Sequence, residues 1–185
     1  TDAPLDAARQ ASIEKARSAL GPPAGLYAVV DAARSPRVRW LLQESIDEHR
    51  TLYEGVQGRT LDEVAPYLVR FSDDSTLLDR LLAGGWGDAW GIFFRSAAHP
   101  KEVRRHLRRF LMVRADEPHE RLYFRYYDPR VMREFLPQAN ARQRADLLNG
   151  IDRLFVEGPD GALLTDEDLV SAGDRAREGD HVSHP

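Results

Sequence analysis

Arg125-Tyr126-Tyr127-Asp128-Pro129-Arg130 is the most distinctive hexapeptide of this 185-residue chain, placing two guanidiniums, two phenols and a carboxylate within six positions. Were it an alternating strand, Arg125 and Tyr127 would share one face and Tyr126 the other. Asp128 followed by proline is a strong helix start, because a carboxylate accepts from the first free amides and proline fits the first turn. Arg130 then falls where a cation opposes the helix dipole and needs an anion of its own. Asp31, closing an apolar run, is a candidate for that partner. The expectation is an ion-pair cluster of Asp31, Arg125, Asp128 and Arg130 at one sheet end, with Arg34 and Tyr127 beside it. Two aspartates so placed also suggest an alternative, a hydrolase or transferase using Asp31 and Asp128. Arginine neighbours, however, depress a carboxylate's pKa and do not poise a general acid. Partner binding without a catalytic residue is the favoured reading.

Other constellations carry less chemistry. Gly84-Gly85-Trp86-Gly87 has the glycines of a phosphate loop, but a helix precedes them and a strand follows, the reverse of a dinucleotide fingerprint. Trp86 and Trp90 divide evenly between core and interface, and both are carried as partner-binding anchors because aromatic residues concentrate at interfaces. With no cysteine, thiolate zinc sites, iron–sulfur clusters and thiol nucleophiles are excluded. The six histidines form no helical pair three or four apart, so neither a metal nor a cofactor is expected. His106 reads as structural. Ser96 lacks the glycine-flanked elbow of a hydrolase nucleophile and reads as a local hydrogen bond shaping the next helix. Lys101 to Arg114 contains six cations against Glu102. A solvated helix face is favoured there over nucleic-acid binding, because no stacking platform is interleaved and the chain is acidic overall.

The elements that must position these groups follow from periodicity. A helix is predicted over residues 5–20, stopped by Gly21-Pro22-Pro23. Leu26 to Val30 reads as a doubly covered strand, and Ser35-Pro36 opens a helix with Val38, Leu41 and Leu42 inward. Strands are predicted at 52–56 and 67–71, with a Thr60/Glu63 capping box between them. A leucine-striped helix closes at Gly84, and a strand runs from Trp90 to Arg95. A basic amphipathic helix starts at His99-Pro100, a hairpin joins 111–115 to 122–127 across Asp116-Glu117-Pro118, and helices fall near 130–136 and 139–149, broken by Pro137. The last strand is Leu154 to Glu157. Alternating strands and helices predict an α/β fold with a mixed sheet flanked by helices: an N-terminal helix (1–24), one compact domain (25–157) and an acidic, partly flexible tail (158–185).

Net charge is −4, yet the segment from Glu157 onward holds eight acids against Arg175 and Arg177, which leaves a mildly basic body. Of the 26 cations, only Lys15 and Lys101 are lysine. Arginine's planar fork suits protein interfaces better than a hydrated ammonium does. No apolar run approaches the ~20 residues needed to span a bilayer. Residues 1–10 contain no apolar signal core, so a cytoplasmic location away from membranes is expected.

Several segments, taken in order, resemble a known family. They are Leu26-Tyr27-Ala28-Val29-Val30-Asp31-Ala32-Ala33-Arg34, Leu52-Tyr53-Glu54-Gly55, Ala65-Pro66-Tyr67-Leu68-Val69, Gly85-Trp86-Gly87 with Trp90-Gly91-Ile92, Ser96, His106-Leu107-Arg108, and Phe124 through Arg130. Together they resemble the domain of unknown function found in type VI secretion adaptor proteins, also called Tap or TEC effector chaperones. The resemblance spans about residues 25–157. It implies a non-enzymatic cytoplasmic chaperone whose partners are a secreted toxic effector and the VgrG spike protein onto which the effector is loaded.

Overall fold

The computed structural model describes residues 7–54, 61–114 and 121–181. Strand β1 (Leu26–Asp31) is buried at every position. Leu26, Ala28 and Val30 enter one apolar cluster, while Tyr27 and Val29 enter another on the opposite face. A strand apolar on both faces must be covered on both. Helices α1 (Ala7–Leu20) and α2 (Pro36–Glu44), with the later α3 (Leu77–Gly85), bury Leu20, Leu41 and Leu82 in the first cluster. Helices α4 (Pro100–Arg108), α5 (Pro129–Gln138), α6 (Ala141–Leu147) and α7 (Asp166–His181) bury Leu107, Leu136, Leu147 and Leu169 in the second.

β1 pairs with β3 (Pro66–Arg70) on one side and β4 (Gly91–Arg95) on the other. Adding β2 (Glu48–Thr51), β7 (Arg153–Glu157) and β8 (Leu163–Thr165) gives the order β2-β3-β1-β4-β7-β8. The α/β class and the flanking helices are as the alternation predicts. In strand direction the sheet departs from a mixed one, because every described pairing is antiparallel. β3 returns beside β2 and β8 beside β7, while β2 and β4 each land one strand away from the strand before them, an order that periodicity does not encode. A separate ribbon pairs β5 (Met112–Arg114) with β6 (Arg121–Tyr123), the predicted hairpin; its turn at 116–118 and the Thr60 of the predicted capping box lie outside the described residues.

Other boundaries shift for local reasons. Residues 52–54 of the strand expected at 52–56 are not strand, and 55–56 lie outside the described residues; the strand of this stretch is 48–51, an edge strand of alternating exposure. α3 runs through Gly84 to Gly85, where Trp90 packs so closely that a Cβ on Gly85 would stand 2.3 Å from its ring. Pro137 sits inside the last turn of α5 and does not break it.

The expected flexible tail is corrected for residues 166–181, which form α7. Acids fill its first turn, Leu169 is buried, and Arg177 donates to the Pro137 carbonyl at 3.0 Å. Gly173 allows the close approach, since a Cβ there would lie 2.1 Å from the Pro137 oxygen. Gly173→Ala is therefore expected to weaken the docking of α7 by about 2 kcal/mol. Trypsin cleavage at Arg175 and Arg177 should accelerate while the rest of the domain keeps its protection.

Candidate functional site

Asp31 ends β1 and is 1% exposed, with its own amide donating to the Trp90 carbonyl at 2.8 Å. A carboxylate buried to that degree needs partners. It accepts the Ala33 amide at 2.9 Å and the Arg125 guanidinium. The segment carrying Arg125 leaves β6 as a turn and not as a continued strand, with the Asp128 amide donating to the Arg125 carbonyl. Tyr126 and Tyr127 are consequently both buried in one core cluster instead of facing opposite sides. The Tyr126 hydroxyl donates to the Leu107 carbonyl at 3.0 Å.

Asp128 caps α5 as expected, accepting the Arg130 amide at 2.9 Å. It also answers the question of Arg130's anion. The guanidinium doubles back to grip Asp128 in two places, Nε at 3.0 Å and a terminal nitrogen at 2.7 Å. The predicted cluster thus exists with a definite pairing, Arg125 to Asp31 and Arg130 to Asp128, instead of Arg130 to Asp31. Burial pushes the Asp128 carboxyl up, but the Arg130 side chain and amide and the Arg125 charge outweigh it and hold the group below the usual carboxylate range. Arg125 and Arg130 still keep 42% and 52% of their side-chain surface exposed. The site holds Asp128 as an anion, pairs Asp31 with Arg125, and leaves both guanidiniums partly exposed.

Arg34, in the turn after β1, donates to the Asp88 carbonyl at 3.0 Å and so ties that turn to the loop between α3 and β4. The same loop is held from beneath by Glu157 at the end of β7, which accepts the Gly87 amide at 2.9 Å. Burial pushes the Glu157 carboxyl up, against the opposing pull of the Gly87 and Ala89 amides.

Trp86 and Trp90 are corrected from surface anchors to core residues, 3% and 8% exposed. The Trp86 indole donates to the Gly161 carbonyl at 2.8 Å, and Trp90 lies against the glycines of α3. The tryptophan that faces solvent is Trp40, half-exposed with the Arg80 guanidinium 5.1 Å from its ring centroid. Sequence reasoning also missed a trio of phenols beside Arg125. Tyr123 donates to the Tyr53 hydroxyl at 2.6 Å and lies 3.2 Å from that of Tyr127. Spacing gives no signal for Tyr53, 70 residues from Tyr123.

Tyr127, with Arg125 above its ring, is pushed up to about 12 by burial. Unfolded tyrosine titrates near ~10. The folded phenol therefore contributes its full stability below pH ~10 and loses it as pH rises from there toward about 12. Tyr127→Phe should flatten the alkaline limb of a stability-versus-pH curve measured by urea unfolding.

Ser96 and His106 hold structural posts: Ser96 donates to the Gly150 carbonyl at 2.6 Å and accepts the Ala98 amide, and His106 lies 2.9 Å from the Leu147 carbonyl. Of the basic helix α4, Arg104 and Arg108 turn inward to the carbonyls of Thr51, Tyr53 and Leu52 and to Glu54. Among the described residues no three His, Asp or Glu side chains converge as metal ligands, and no helix is long and apolar enough to cross a membrane.

A family model described as a domain of unknown function (DUF4123) matches residues 26–146, which include all four residues of the ion-pair cluster. No curated protein and no solved structure matches the chain.

Proposed function

This chain belongs to the DUF4123 family, and from that premise we propose that it is an adaptor chaperone that grips a secreted effector and promotes its loading onto a VgrG spike. The observation that carries the reading is the electrostatic state of the Asp31–Arg125–Asp128–Arg130 cluster. Its carboxylates are each engaged by an arginine, and Asp128 is held ionised and so is not poised for proton transfer. What faces outward is arginine N–H already oriented by its buried partner, a surface suited to peptide carbonyls and carboxylates. The likeness of the segments around it to type VI secretion adaptors supplies the class of partner. The alternative use of Asp31 and Asp128 in a hydrolase or transferase meets two carboxylates already engaged by arginines, with Asp128 held below the usual carboxylate range.

Coexpression with the protein encoded beside it tests the proposal. The expected result is a complex that survives affinity purification, weakened about tenfold by Arg130→Glu, a change at the exposed rim. Copurification of neither an effector nor a spike protein would overturn it, as would turnover abolished by Asp128→Asn in a chain that still melts cooperatively.

A further inference from the structure

A groove of about 380 Å³ lies on the α4 side of the sheet, apart from the cluster. It crosses from Tyr27 on β1 over Leu68 and Arg70 on β3 to Glu48 and Arg50 on β2, and the first two turns of α4 wall it with Lys101 and Arg104. Four cations therefore surround it against one acid. Arg104 is anchored by the carbonyls of Thr51 and Tyr53, at 2.8 and 3.1 Å. Arg50 has only a loose, exposed contact with Glu48 at 3.9 Å. Among the described residues Arg70 and Lys101 form no ion pair, and both are exposed. The N-terminal end of α4 adds the positive pole of its dipole. The floor is of opposite character: Leu68 is buried, and the Tyr27 ring stacks on Phe94 with 5.4 Å between centroids.

Three neighbouring strands span roughly 10 Å, the length of about three residues of extended chain. We infer that this groove receives a short acidic segment of a partner polypeptide, an apolar side chain on its floor and flanking carboxylates on Arg70, Lys101 and Arg50. The charge complementarity selects an anion and the apolar floor selects a peptide. A nucleic acid fits less well: the one aromatic ring at the floor is already stacked, Glu48 stands on the rim, and the whole chain carries −4. The inference rests on the adaptor reading only for the source of the segment.

Fluorescence anisotropy with a labelled Gly-Glu-Leu-Glu-Glu-Gly peptide tests it, with the Gln-for-Glu peptide, a short oligodeoxythymidylate and inorganic phosphate as competitors. The acidic peptide should bind, release as salt rises from about 50 to about 300 mM, and bind about tenfold more weakly to the Arg70→Glu/Lys101→Glu chain. The Arg105→Glu/Arg109→Glu chain, whose altered residues line a separate depression and not the groove, should bind as the parent does. Arg70→Gln/Lys101→Gln serves if the double reversal melts early. Equal competition by the Gln peptide, stronger competition by the oligonucleotide or phosphate, or no effect of the Arg70/Lys101 changes would overturn the inference. An effector complex that forms equally well with the Arg70→Glu/Lys101→Glu chain would remove the groove and leave the adaptor standing. Peptide binding by a chain that captures no effector would do the reverse.

Discussion

Gly91→Ala is expected to cost about 3 kcal/mol or more, enough to unfold a domain of ordinary marginal stability under mild denaturant. Gly91 opens β4 directly opposite Val30. A Cβ there would stand 2.1 Å from the Val29 carbonyl oxygen and 3.0 Å from the Val30 Cα. Those atoms are backbone of the central strand, which has paired strands on both edges and apolar clusters on both faces, so it has nowhere to retreat. Relief must come from β4 moving away. That movement strains the bond from the Asp31 amide to the Trp90 carbonyl, so the end of β1 that carries the ion-pair cluster opens first. Gly87→Ala is the control. Gly87 has φ +95° and no atom within 4 Å of the place its methyl would take, so only backbone strain of about 1–2 kcal/mol is expected. Urea unfolding of both variants separates the steric cost from the conformational one. A Gly91→Ala chain no weaker than Gly87→Ala would mean that β4 can slide without loss.

What is legible in the sequence is what local rules govern. An apolar run such as 26–30 is doubly covered wherever it occurs, and the Asp128-Pro129 start and the serine at 35 act on amides a few residues away. The ion-pair cluster is foreseeable because Asp31 and Arg125 each lie at the end of an element, where the chain turns and polar groups collect. Its pairing is not: whether Arg130 reaches Asp31 or folds back on Asp128 depends on distances that only packing sets. The two indoles show a different limit. Residue type alone does not separate a core tryptophan from an interface one, and the decisive fact, that Gly84 and Gly85 leave a trough for the Trp90 ring, belongs to the meeting of two elements.

The polar segments escape a sequence reading for a related reason. β2 has the sequence Glu-His-Arg-Thr, with neither an apolar run nor a strong β preference, and it is a strand because β3 offers it a free edge. α7 has a weak apolar stripe and is held by Gly173 and Arg177 against the carbonyl of Pro137. In each case the partner supplies the signal, and the partner lies far away in sequence.

Asp47 is the extreme case of that remoteness and the source of the second large effect. It is 4% exposed at the junction of α2 and β2. One carboxylate oxygen accepts the Ser72 amide at 2.7 Å and the Ser72 hydroxyl at 3.0 Å; the other accepts the hydroxyls of Ser45 and Ser75, each at 2.7 Å. The Ser75 oxygen in turn accepts the Leu77 amide at the start of α3. One side chain therefore fixes where β2 begins, and with it the rim of the basic groove, to the linker that launches the leucine-striped helix. Asp47→Ala leaves an amide and three hydroxyls short of an acceptor and is expected to cost about 3 kcal/mol. Asp47→Asn keeps the shape but replaces an acceptor by a donor, at about half that cost. Burial pushes the carboxyl up, but the Ser45, Ser72 and Ser75 donors outweigh it, and the net displacement is downward. Because the folded value lies below the unfolded one near ~3.9, the ionised carboxylate contributes fully at neutral pH, and its contribution fades as pH falls through the folded value. The stability gap between the parent chain and Asp47→Asn should accordingly be widest at pH 7 and narrow toward pH 3 in urea unfolding. A gap that stays constant across that interval would show that the four donors bind the aspartate by shape alone and that its charge contributes nothing to the junction.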